Sequence, residues 1–132
     1  MDAESKNALD AFGEAAVREI YDRSCQYLYD KISRGMRGNN PDPLHAAYQS
    51  LDPATAAILR QFLVEAVDQT FAQFLDFFDN HEIPIQFPTA DGTMKEVTIA
   101  SDGLAAEPYS EWGWIARFSK FKDGIPRPES SG

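Results

Sequence analysis

The stretch Asp52–Asn80, DPATAAILRQFLVEAVDQTFAQFLDFFDN, limits what this 132-residue chain can fold into more than any other. Asp52 is a good N-cap, and Pro53 takes the first helical position, where a missing N–H costs nothing. From there to Asn80 no further proline and no glycine interrupts the run. The sequence therefore predicts one helix of about 42 Å at 1.5 Å per residue. At about 100° per residue, Leu59, Phe62, Leu63, Ala66, Val67, Phe71, Phe74, Leu75, Phe77 and Phe78 cover more than half the circumference, where a surface helix shows a narrower stripe. The expectation is a central helix packed by neighbours on at least two sides. Phe71, Phe74, Phe77 and Phe78 crowd its last two turns, each able to bury about 150 Å² or more, so the other elements are expected to converge there.

The face left over carries Glu65, Asp68, Asp76 and Asp79 within about a quarter turn. Asp76 and Asp79, followed by Glu82, lie near the C-terminal end, where the macrodipole disfavours carboxylates by roughly a few tenths of a kcal/mol each. Two readings follow. The stripe is a solvated face, or it is an acidic ridge kept against local preference because it meets a partner.

Around this helix the rest of the chain falls into recognisable pieces. Leu9, Phe12, Ala16, Val17, Ile20, Tyr21, Leu28 and Ile32 predict a first helix over about Ala8 to Ser33, with Gly35 as its C-cap. The stretch 35–43, GMRGNNPDP, reads as a loop. Pro43 then opens a short helix bearing Leu44, Ala47, Tyr48 and Leu51, on which His45 reads as structural. Beyond Asn80 the period drops to two. Ile83–Phe87 and Met94–Ala100 flank Asp91-Gly92 and predict a β-hairpin, whose apolar face must lie on the helices. Pro108 to Lys120 reads as a helix or a strand; helix is preferred, with Gly113 counting against it. In that stretch Tyr109, Trp112 and Trp114 are either core or, with Arg117, the wall of a ligand pocket. The fold class is thus mainly helical α+β: two long helices, a short helix, a hairpin and an aromatic C-terminal element. One domain over 1–122 is expected, with 123–132, DGIPRPESSG, as a flexible tail.

Charge narrows the partners. Twenty-one acidic against 12 basic residues leave −9, which repels phosphate-rich ligands at long range, and the one basic cluster, Lys31, Arg34 and Arg37, is too small to override it. No nucleic acid is expected. The N-terminal MDAESKNALDAF lacks the basic and apolar regions of a leader, and no apolar run approaches the 18 or so residues that span a bilayer; a cytoplasmic protein off the membrane is expected. Cys25, the single cysteine, reads as a buried, inert thiol. There is no Gly-rich phosphate loop, GxSxG, HExxH or cysteine pair. Asp76, Asp79, His81 and Glu82 offer oxygens and an imidazole, but at a spacing that matches no standard metal loop. Neither a metal nor a cofactor is expected, and a binding role is favoured over an enzyme.

In size, acidity and cytoplasmic character the chain is similar to bacterial immunity proteins. That compositional resemblance implies an inhibitor that lays carboxylates over the basic cleft of a toxin. The first functional expectation is accordingly a protein-binding module whose Glu65, Asp68, Asp76 and Asp79 meet a basic protein. The second is a small-molecule-binding protein or an enzyme without a recognisable motif, using Tyr109, Trp112, Trp114 and Arg117. The third is a homodimer whose aromatic surface is its own interface.

Overall fold

A computed structural model describes residues 3–35 and 42–129. Most of the loop expected at 35–43, Arg37 of the basic cluster, and the last three residues of the expected tail lie outside them. The fold is mainly helical α+β, as the sequence implied. Helices α1 (Ala3–Ala16) and α2 (Asp22–Ser33) are joined by a π-helical turn (Val17–Tyr21) into one rod, and α3 (Pro43–Gln49) leads into α4 (Pro53–Asn80). Strands β1 (Gln86–Pro88) and β2 (Met94–Glu96), a 3₁₀ turn (Leu104–Ala106) and the short helix α5 (Trp114–Phe118) complete the order.

The helix ends follow their local chemistry. Asp52 accepts from the Thr55 N–H at 2.9 Å with Pro53 behind it, and Asp42 caps α3 through Leu44 in the same way. Gly35 ends the first rod at φ +66°, donating its N–H to Asp30 O. Where a side chain on Gly35 would stand, the imidazole of His45 instead brings Nδ1 to the Lys31 and Ile32 carbonyls at 3.2 and 3.1 Å. His45 thus satisfies carbonyls that a helix end leaves open. At the other end of α4, Glu82 stands at φ +52° while the Ile83 N–H reaches back to Phe78 O.

The hairpin is shorter than predicted. Its strands pair antiparallel with Phe87 opposite Lys95, and Gly92 turns the loop at φ +87°. Three residues per strand pair, and one further bond, from the N–H of fully buried Val97 to Ile85 O at 2.8 Å, carries the contact past the ladder. The apolar face lies on α1, with the Phe87 and Phe12 rings edge to face at 5.6 Å.

The core is organised around the first rod, where α4 had been expected to be central. Ala8, Leu9, Ala16, Val17, Tyr21, Cys25 and Ile32 of the rod join Phe71 and Leu75 of α4, with Val97, Leu104, Trp114, Phe121 and Ile125 closing the other sides. Helix α4 buries only Ala56, Phe71 and Leu75, while Ile58, Leu59, Phe62, Phe74 and Phe77 stay exposed. Neighbours thus stand on two sides of α4, as expected, yet they leave much of its apolar arc open. The rod covers one side of α4 and the 3₁₀ turn sits against its C-terminal half, and no further element reaches the rest of the apolar arc among the described residues.

The aromatic terminal element is a short helix in a run of turns, shorter than the predicted helix from Pro108 to Lys120. Gly113 sets its start: a Cβ there would lie 2.6 Å from Glu107 O and 2.7 Å from Pro108 O, so the chain doubles back on itself before the helix begins. Ile125, within the stretch expected to be a tail, is buried in the core.

Candidate functional site

Between α4 and the C-terminal segment lie two adjoining open hollows of about 690 and about 550 Å³, which share Val64, Asp68, Tyr109 and Asp123. Their carboxylates are Glu65, Asp68, Glu111 and Asp123; their cations are Arg60 and Lys122. Arg60 is partly occupied, because its Nη1 donates to the Tyr48 hydroxyl at 2.7 Å.

Asp68 is the fixed point of the site. It is half-buried, and its Oδ1 accepts from the Tyr21 hydroxyl at 2.8 Å. The π turn places that hydroxyl: the Asp22 N–H bonds Val17 O, one residue further back than in an α-helix, which re-aims the side chains that follow. Burial holds the Asp68 carboxyl above the usual carboxylate range, with Glu65 adding to it and the Tyr21 hydrogen bond opposing. Burial likewise pushes Tyr21 and Tyr109 above the ordinary phenol value. The Tyr109 hydroxyl donates to the Asp68 main-chain oxygen at 2.7 Å and ties the C-terminal segment to α4.

The four carboxylates of the expected stripe do share one side of α4, but they are not four free charges. Glu65 is exposed, whereas Asp76 accepts from Asn80 Nδ2 at 3.1 Å. Asp79 receives the N–H groups of Leu104 and Ala105 at 3.0 and 3.2 Å, so it caps the 3₁₀ turn. This accounts for its unfavourable place on the α4 dipole: it serves the start of another element. The aromatic set also divides. Tyr109 lines the hollows. Trp112 projects into solvent at 77% exposure, and Trp114 is wholly enclosed, edge to face with Phe12 at 5.8 Å. Arg117 pairs with Asp10 at 3.0 Å. These four do not converge on a single pocket.

The structure thus gathers Glu65 and Asp68 from one expected set and Tyr109 from the other. Glu111 and Asp123 join them from the C-terminal segment. Asp123 lies 55 positions from Asp68, in a segment whose composition read as a tail, and no local signal marked it. Cys25 is buried, with its thiol pushed up to about 12 by burial, then by Asp22 and Asp68. The hollows' described lining holds no histidine or cysteine and offers charge and hydrogen bonds. Among the described residues no three His, Cys, Asp or Glu stand together as metal ligands would, and no helix is long and apolar enough to cross a membrane. Comparison with models of known families, with curated proteins and with solved structures returns no match.

Proposed function

We propose that this chain is a non-enzymatic protein-binding module that receives a basic segment of a partner protein in the groove between α4 and the C-terminal segment. The observation that carries the reading is the groove itself, lined by four carboxylates against two cations, one of them already bonded to Tyr48. A cationic side chain entering it would leave water beside half-buried Asp68, where attraction is stronger than at an open surface. It would also be steered there by the −9 charge of the whole chain. In its narrower form the proposal is of an inhibitor of immunity type, working in the cytoplasm by masking a basic site. Size, acidity and the groove support it.

The test is titration calorimetry with a synthetic Arg/Lys-rich peptide at low and at physiological salt. Binding should weaken as salt rises, and Glu65→Gln with Asp123→Asn should weaken it at either salt while the far-ultraviolet circular dichroism stays unchanged. Asp68 and Asp79 are unsuitable for this purpose, since both bond within the chain. Absence of binding at low salt, or equal binding by the double variant, would sink the proposal.

A further inference from the structure

We infer that the uncovered flank of α4 is a homodimer interface, in which two copies of the helix pack antiparallel about a twofold axis.

The flank carries Leu59, Phe62, Ala66, Thr70, Phe74 and Phe77, all exposed. Phe62 is 66% exposed and Phe77 51%, although both read as core from the sequence. The six positions are spaced 3, 4, 4, 4 and 3 apart. That is the period of a straight α-helix, so the stripe runs along one side without drifting around it. The same spacing reads identically in either direction, and so does the order of sizes: large, large, small, small, large, large. An isologous contact requires such self-complementarity, because residue i must meet j while j meets i. Reversing one copy about the midpoint sets Phe62 against Phe74, Leu59 against Phe77 and Ala66 against Thr70, each twice. The small central pair lets the helix axes approach to about 8 Å, the close end of the usual range, while the outer rings interdigitate.

Charge favours a second copy at this place. The chain carries −9, and most faces of two copies repel. The residues interleaved with the middle of the stripe, Gln69 and Gln73, are neutral amides, and the six stripe residues carry no charge; His81 lies against the Phe77 ring at the end of the stripe. Area agrees as well. Beside the stripe, an apolar hollow of about 420 Å³ runs between α4 and the rod, edged by Ile20 and Leu28. Taking about 200 Å² for a fully exposed large apolar side chain, the open parts of the stripe residues and of Ile20 present on the order of 500 Å² per copy. A stable dimer of standard size buries about 800 Å² per partner, and this patch supplies the greater part of it.

None of the six stripe residues lines the acidic groove, which the interface meets at Gln69, so variants at Phe62 and Thr70 test this inference separately from the groove. Sedimentation velocity on the full chain at about 1 and about 100 µM should show a species of twice the 14.7 kDa chain mass at the higher concentration. Phe62→Glu and, separately, Thr70→Arg should weaken self-association by about a hundredfold or more, since symmetry counts each substitution twice. Both positions are exposed, so circular dichroism should be unchanged; binding of the basic peptide should be unchanged too. Mixing Ala66→Cys with Thr70→Cys under mild oxidation should give the mixed disulfide in preference to either homodisulfide, Cys25 being buried. A wild-type chain that stays monomeric at the higher concentration overturns the inference, whatever else binds the flank. So does a dimer that survives both charged variants, or a preference for homodisulfides.

Discussion

Gly13→Ala is expected to destabilise the protein, against what helix propensity alone would say. Gly13 lies in the last turn of α1, inside the continuous first rod, where alanine is favoured over glycine by about 1 kcal/mol. But Gly13 is buried beneath the indole of Trp114, and a Cβ there would fall on the Cε2, Cδ2 and Nε1 atoms of the ring. To reach an ordinary carbon–carbon separation of about 3.5–4.0 Å, ring and helix would have to part by on the order of 1 Å or more. Trp114 is wholly buried with Phe12 against its edge, and a core at native density does not yield that distance freely. Overpacking of this kind costs about 1–3 kcal/mol, occasionally more. A buried methyl that crowds the largest core side chain belongs at the upper end, so a net loss of about 1–2 kcal/mol remains after the propensity gain. For a domain of this length that lowers Tm by roughly 3–10 °C. Thermal unfolding followed by circular dichroism measures it, and Gly13→Ala made in a Trp114→Phe background should lose less, because the two sites share one contact. A Gly13→Ala protein as stable as the wild type, or more so, would refute the packing described for α1 and α5.

Glu82→Gly should raise stability by about 1 kcal/mol, because Glu82 is exposed and holds a left-handed φ of +52° that glycine adopts without penalty; an unchanged or lower denaturation midpoint would count against the α4 terminus as described. Tyr21→Phe removes the hydrogen bond that opposes the burial of Asp68, so the already raised carboxyl pKa should rise further in a side-chain ¹³C titration, and a fall would contradict the geometry. The sign for stability follows from the same shift: with its folded pKa above the unfolded value, Asp68 favours the fold most below the unfolded pKa, and this contribution is lost as pH rises through the folded one. Cys25 should resist a thiol reagent at pH 8 in the native protein and react on unfolding, since its pKa is pushed up to about 12 and it is buried; prompt native reactivity would mean that the rod opens there.

Much of the architecture was legible because it is governed by near neighbours. The Asp52-Pro53 start of α4, the Pro43 start of α3, Gly35 as a helix stop and the Asp91-Gly92 turn all rest on backbone preferences within a few residues. The core face of the first rod was legible for the same reason, as a 3.6-residue period. The π turn left no mark on that pattern, since one extra residue in a turn is set by what the rod must reach on α4. For the candidate site, Glu65, Asp68 and Tyr109 could be picked out by type, but their convergence could not. Asp79 looked like a surface charge and proved to be the acceptor for two N–H groups 25 and 26 residues away.

What the sequence determined by itself is the set of elements, their ends, and which positions on each are apolar or acidic. Only the tertiary structure decided how many neighbours there were to cover those positions. The arc on α4 is wide enough for two sides of packing, yet one rod and a few turns cover half of it and leave Phe62 and Phe77 in water. Amphipathic patterning is a property of one segment and is written in its own residues. Coverage depends on the joint placement of distant segments, set by the volume each fills and the hydrogen bonds each leaves open, and no local pattern records that.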